Sequence, residues 1–451
     1  VGDTEKVQIP LTASAEPTGR CPAGATCQAA MCIPANDNSN PSVGAGCSLE
    51  LLGAGPLVNS TGGQGTLMSA PAIGATSTGF IVVYREVDPF GANARLVLLP
   101  IDSGGGALRP ETPGLERGCE NSEETDGVGL IVNDDSGKIT LARPPCGGQP
   151  ALELLNFTTT NEAEPGRPTL GRFLVSSSPN EARVALGAAR PASRRPGGDV
   201  VVFTEAGVAR IANVDSEKGI VGPNGTFGGT TGITDAWVTA NDKILALLAA
   251  GPAGSTPFVD AGADAQAPPE PTGDSELRLL VLPASTPLET INAQQNTPRA
   301  PVAFAGTWGS LAALGGRAIV LSDGIGGGNS VIFRAFDLNK DTPSDTNGFS
   351  FEGAGKVTAG DVTVLGNRAY FAALKPGAVA LHVYDNASTT LTPLRDVTFA
   401  LEPRISAIST IRDGRIALAA TESRVAVTWT TAKVLGANDP PGGYAVFACT
   451  Q

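Results

Sequence analysis

Asp337-Leu338-Asn339-Lys340-Asp341, followed by Asp345 and Asn347, sets side-chain oxygens at alternate positions just after an apolar run. A turning backbone with that spacing can aim several hard ligands at one cation, and calcium is the cation such oxygens suit. Thr342-Pro343 interrupts any further match to a helix-flanked calcium loop, so the pattern predicts calcium on Asp337, Asn339 and Asp341 or, as the blander reading, a solvated turn. His382 is the one histidine, which excludes a His-rich metal site and leaves any Ser-His-acid relay resting on a single residue. It alternates with apolar neighbours, the setting of a strand histidine with its ring hydrogen-bonded or solvated. No Gly-x-Ser-x-Gly elbow, phosphate loop or His-Glu-x-x-His helix occurs. Gly324-Ile325-Gly326-Gly327-Gly328 is followed by Asn329 and joins two strand-like runs, so it reads as a hairpin loop.

Two charged clusters remain. Glu120, Glu123, Glu124 and Asp126 sit beside Cys119 as solvated surface; Arg190, Arg194 and Arg195, in a Pro/Gly loop, suit solubility or an acidic partner. Nothing marks a carboxylate pair of the kind glycoside hydrolysis needs. Trp237, Trp308 and Trp429 all lie in strand-like runs and read as core rather than as sugar platforms.

The seven cysteines are Cys21, Cys27, Cys32, Cys47, Cys119, Cys146 and Cys449. Four crowd into the first 47 residues among Pro, Gly and Asn, the pattern of a disulfide knot; a zinc site would bring Cys-x-x-Cys pairs or histidines. Disulfides imply an oxidising compartment outside the cytoplasm. Cys119 and Cys146 flank the runs 127–132 and 138–143, whose hairpin would bring them together. The odd count leaves one thiol alone or joined to another chain.

The elements that must hold these residues are strands. Short β-rich runs bounded by Gly, Asp, Asn or Pro recur from Cys47 onward, and no stretch carries a helical stripe. They group in triplets: 69–73, 79–84 and 94–102; 309–314, 316–322 and 330–337; 361–365, 368–373 and 378–385. Weaker copies begin at Val128, Ala182, Ala236 and Ile405. Such repetition suits an all-β propeller, with seven blades of four antiparallel strands as the best fit, and tandem β-sandwiches as the alternative. The run 443–449 would be the third strand of the last blade and Ser48-Leu49-Glu50-Leu51-Leu52 its fourth. The two chain ends would then close the ring, with Cys47 near Cys449. Residues 1–46 read as an irregular disulfide-stapled head, 47–451 as the propeller, and 251–275 as a flexible insertion inside one blade.

Composition agrees. Lys+Arg 31 against Asp+Glu 44 gives a net charge of −13, which excludes nucleic-acid binding driven by bulk positive charge. Gly 57 and Pro 35 make about a fifth of the chain, yet 41% hydrophobic residues suffice for a large core, so the protein is turn-dense and folded. No apolar stretch reaches the ~18 residues of a membrane span, and Val1-Gly2-Asp3-Thr4-Glu5-Lys6 is not a signal sequence, so the chain reads as mature.

Cys21-Pro22-Ala23-Gly24-Ala25-Thr26-Cys27 running to Cys32, the Asp260-Ala261-Gly262-Ala263-Asp264-Ala265 tract and the Ala/Gly/Arg-rich composition resemble secreted or envelope-anchored β-propeller proteins of myxobacteria and related bacteria. The resemblance implies an extracytoplasmic propeller. Trp-Asp repeat endings, sialidase Asp-boxes and the spaced Tyr and Trp of kelch repeats are missing, so no subfamily site carries across. The expectation is a non-enzymatic binding or assembly module meeting a surface protein, an extracellular polymer or copies of itself, with calcium as the one cofactor its residues suggest. The alternatives are a carbohydrate hydrolase or lyase using channel-facing carboxylates, and a structural subunit of a surface filament or coat.

Overall fold

The computed structural model describes residues 7–9, 25–28, 31–34, 47–57, 67–68, 71–87, 93–108, 115–117, 129–133, 138–143, 152–158, 169–173, 182–184, 192–195, 198–205, 207–215, 220–227, 232–253, 275–292, 301–323, 330–350, 356–375, 378–386, 390–401, 415–430 and 442–450. Strands account for nearly all of them, and one 3-10 turn, Leu288–Thr290, is the only helix among the described residues.

Seven antiparallel sheets of four or more strands follow one another along the chain. The first sets Leu67–Met68 and Ala72–Thr76 against Gly79–Val87, then Asn93–Asp102 and Leu115–Arg117. The second runs Gly129–Asn133, Lys138–Arg143, Leu152–Thr158, Thr169–Phe173. In the third, Ala182–Val184 and Ala192–Arg195 pair with Gly198–Glu205, then Val208–Asp215 and Ile220–Phe227. The fourth is Asp235–Ala240, Ile244–Pro252, Ser275–Pro283, Val302–Ala305, and the fifth Gly309–Leu314, Arg317–Asp323, Ser330–Asp337, Asp345–Ser350. The sixth is Ala359–Leu365, Arg368–Lys375, Ala378–Asp385, Thr392–Leu401. In the seventh, Arg415–Ala420, Arg424–Thr430 and Gly442–Ala448 are followed at the edge by Glu50–Pro56, from the other end of the chain.

Successive sheets pack face on face, which explains why the second and third strands are apolar at nearly every position rather than at every other one. Tyr370, Phe371, Ala372 and Ala373 are all buried: Phe371 packs toward the fifth sheet with Phe333, and Tyr370 toward the seventh with Trp429. Phe333, Phe371 and Tyr384 close that contact with ring centroids 4.5 to 5.3 Å apart, within the range of favourable aromatic pairs. Val82 and Val446 share a cluster between the first and seventh sheets. The first strands also neighbour one another from sheet to sheet, and Arg415–Ala420 lies beside Ala72–Thr76.

The N-terminal edge strand begins at Glu50, two residues later than the sequence run 48–52 suggested, and extends to Pro56, four residues beyond its end; Leu49, at φ 51°, turns the chain into it. Cys47 and Cys449 are bonded, 402 residues apart in sequence. Inside this joint Gly53 meets Gly105, whose carbonyl oxygen would lie 2.5 Å from a Cβ placed on Gly53. That approach needs glycine, because backbone cannot yield as a side-chain tip can.

Of the first 46 residues, read from the sequence as an irregular head, three short strands are described. Val7–Ile9 adds in parallel to the outer strand of the sixth sheet, and Ala25–Gln28 forms a hairpin with Met31–Pro34. Three or four residues leave too little local pattern to reveal a strand whose partner is almost four hundred residues away.

Candidate functional site

The first strand of each sheet is an edge: one side pairs with the second strand, and the other has no partner within the sheet. Its free amides need acceptors from elsewhere. Asp361, third residue of its strand, supplies one. Its Oδ1 accepts the Ser310 hydroxyl (2.7 Å) and the Val362 amide (2.9 Å), while Oδ2 accepts the Leu418 amide (2.7 Å). The carboxylate is 1% exposed and ties the fifth, sixth and seventh sheets together.

Asp235 opens the first strand of the fourth sheet and Arg415 that of the seventh. Burial pushes the Asp235 carboxyl well above the usual carboxylate range, against the Arg415 guanidinium and the Ala236 amide, which pull it down. Asp235 is hemmed in by protein yet keeps some exposed surface. The Arg415 guanidinium acts on it from a sheet that neither precedes nor follows its own. The pair joins an acid to a base; it does not set two acids side by side.

At the same ends of the strands, Asp323 accepts the Thr307 amide (2.8 Å) and hydroxyl (2.7 Å). Arg334 donates to Ser322 Oγ (3.1 Å) and lies 4.9 Å over the Phe304 ring. Where 254–274 leaves the fourth sheet, the buried Arg278 donates to Glu276 (2.6 Å) and to the Pro252 carbonyl (2.7 Å).

The sequence-derived candidates fall elsewhere. Asp337 ends a strand, Asn339 turns through φ 62°, and the turn holds itself: the Lys340 amide donates to the Asp337 carbonyl (3.1 Å) and the Ser344 hydroxyl to Asp337 Oδ1 (3.4 Å). Asp345 and Asn347 lie beyond it on the outer strand, where Asp345 Oδ2 accepts the Leu391 amide (2.9 Å). Among the described residues no three His, Cys, Asp or Glu side chains gather as a metal ion requires. His382 stacks on Phe349 (centroids 3.8 Å) opposite Asp396; burial lowers its pKa to about 4, with Asp396 acting the other way, so it is neutral at neutral pH. Cys27 and Cys32 face one another in register on their hairpin. Cys21, Cys119, Cys146, Glu120, Glu123, Glu124, Asp126, Arg190 and the insertion at 254–274 lie outside the described residues, while Arg194 and Arg195 end a first strand. Trp237 and Trp429 are core; Trp308 is half-buried against Gly360. No helix among the described residues is long and apolar enough to cross a membrane.

No family model matches the chain, and no curated protein matches it. Among solved structures it is similar to the β-propeller domain of the Trilobed protease from Pyrococcus furiosus, at 10% identity over 82% of this chain and 91% of that one, TM-score 0.40. It is also similar to the Dos1 propeller, at 11% identity over 90% and 96% of the two chains, TM-score 0.42. A structure from a study of two prolyl endopeptidases aligns with 81% of this chain at 12% identity, TM-score 0.39; the chain spans about half of it, 46%.

Proposed function

We propose that the seven sheets are the blades of a closed propeller, with the N-terminal strand completing the last one, and that the protein is an extracytoplasmic, non-enzymatic binding or assembly module. The observation that carries this reading is the use made of the acids on the first strands. Both Asp361 oxygens are taken by backbone amides and Ser310, and Asp235 lies in the field of the Arg415 guanidinium. Glycoside hydrolysis wants two available carboxyl groups across a substrate-sized gap, and of the two acids on the described first strands, Asp235 and Asp361, the second has both oxygens engaged.

The connectors suggest where binding occurs. First and second strands are joined by short turns such as 77–78, 315–316 and 366–367, whereas second and third strands, at the opposite end of each sheet, are joined by 144–151, 253–274 and 431–441. Long connections on a rigid scaffold are where recognition concentrates. A surface protein or an extracellular polymer is the partner this end would meet. The bond between Cys47 and Cys449 supports an oxidising compartment.

The raised carboxyl of Asp235 is what favours the second reading, a hydrolase or lyase acting in the central channel that a closed propeller would enclose. One experiment separates the two. Purified protein is incubated with extracellular polysaccharides and surface-protein fractions, and both saturable binding and product release are measured. Saturable binding without product is expected, unchanged in Asp235→Asn. Release of reducing ends that Asp235→Asn abolishes would overturn the binding-module reading.

A further inference from the structure

Sheet edges invite other strands, and proteins blunt them with proline, charge, glycine irregularities or short length. The outer strands of six sheets carry such devices. Leu115–Arg117 is short and charged, Thr169–Phe173 holds Gly171 and Arg172, and Ile220–Phe227 contains Gly222-Pro223. Val302–Ala305 has four residues; Asp345–Ser350 has Asp345 and Gly348; Glu50–Pro56 has Glu50, Gly53, Gly55 and Pro56. The outer strand of the sixth sheet differs. Its first half, Thr392-Pro393-Leu394-Arg395-Asp396, is protected by proline and charge, but Val397-Thr398-Phe399-Ala400-Leu401 is a five-residue run with no proline, glycine or charge. Among the described outer strands no other run of that length is so unguarded, and its β-branched and aromatic composition is that of an aggregation-prone segment.

This is the edge that Val7–Ile9 occupies, pairing Val7 with Phe399, Gln8 with Ala400 and Ile9 with Leu401 in the only parallel ladder among the described strands. Val7–Ile9 also lies beside Met31–Pro34 of the N-terminal hairpin. We infer that Val7–Ile9 is a removable edge cap, and that the strand 397–401 it covers is an acceptor site for β-addition whose occupant, once the cap is gone, is a second copy of this chain. The acceptor is backbone: unpaired amides and carbonyls give affinity to any extended strand, and the unguarded run of a second copy meets the same need. In the intact chain the cap wins because it is tethered. The chain between Ile9 and Cys47, which the disulfide fixes at the seventh sheet, is a tether, so the cap re-forms as an intramolecular contact that a second molecule must outcompete. A three-residue ladder held by tethering is one that trimming of the N-terminus releases. This inference does not depend on what the long connectors bind.

Deleting residues 1–12 removes the cap and no cysteine. The intact chain should be monomeric by light scattering, and the deleted chain should have a mass that rises with its concentration. A peptide spanning Thr4 to Thr12 should bind the deleted chain in fluorescence anisotropy and return it to monomer, and the same peptide with Gln8→Pro, which loses an amide, should do neither. A deleted chain that stays monomeric and ignores the peptide overturns the inference, as does association that the peptide fails to reverse. Should the deletion impair folding, Gln8→Pro in the full chain is the second arm: faster amide hydrogen exchange at 397–401 with the rest unchanged is expected, and unchanged exchange there overturns the cap.

Discussion

Replacing Cys47 and Cys449 together by serine removes a bond between residues 402 apart in sequence. In the chain-entropy account, freeing a loop of that length restores about 6 kcal/mol of disorder to the unfolded chain at 25 °C, and residual unfolded structure brings the usual measured loss to about 2–5 kcal/mol. The folded side of the balance should change little. The Arg368 guanidinium donates to the Thr450 carbonyl, the Leu49 amide donates to Ala448 (3.0 Å), and the paired strands 50–56 and 442–448 hold both ends in place without the bond. Unfolding entropy of ~2 cal/mol/K per residue makes 1 kcal/mol worth about 1 °C in a chain of this size, so the melting temperature should fall by about 2–5 °C. Differential scanning calorimetry on the parent, each single serine variant and the double variant checks this. Because one bond is at stake, the three variants should lose nearly the same amount. A double variant that melts within a degree of the parent, or single losses that add up in the double, would refute the reasoning.

Two further outcomes follow from buried polar groups. Asp361→Ala deprives the Leu418 amide of its side-chain acceptor and the Ser310 hydroxyl of a partner, and should cost about 2–4 kcal/mol, read as a melting point lower by about 2–4 °C; a loss under a degree counts against the three-sheet tie. His382, with its folded pKa near 4 against about 6.5 unfolded, leaves the unfolded chain binding more protons between those values, so stability rises with pH across that window. Its share is fully present above pH ~6.5 and is lost by about 3 kcal/mol as pH falls to ~4; His382→Gln should flatten the melting temperature against pH by that amount, and an unaltered profile would show that the ring is not the titrating group.

The strands legible in the sequence were those whose neighbours supply two apolar faces. The runs 79–84, 316–322 and 368–373 are apolar at nearly every position because a sheet covers each side, and such runs announce themselves locally. Outer strands carry no such signal. Asp345–Ser350 has one face toward solvent, and its Asp and Asn read more naturally as an extension of the preceding turn. The juxtaposition of the first and last runs was readable for a different reason: Gly443 to Cys449 needs a fourth strand, and one follows Cys47 directly. Asp235, Asp361 and Arg415 were illegible as a group. Each is a lone polar residue near the start of a strand, where sequence suggests a turn, and Asp361 reaches Ser310 and Leu418, as Asp235 feels Arg415, only because first strands of different sheets come together.

The close seat of Gly53 on Gly105 bears on how the protein is made. Its strand, 50–56, leaves the ribosome almost four hundred residues before its pairing partner 442–448. At ordinary synthesis rates of about 5–20 residues per second, the strand waits roughly 20–80 s with its backbone unmatched. A strand rich in valine and isoleucine would be a hazard through that interval. Glu50-Leu51-Leu52-Gly53-Ala54-Gly55-Pro56 is a poor template instead, with two glycines and a terminal proline lowering its appetite for chance partners. The small residue that lets a backbone nestle into the finished joint thus also keeps the nascent chain quiet until its late-arriving mate emerges.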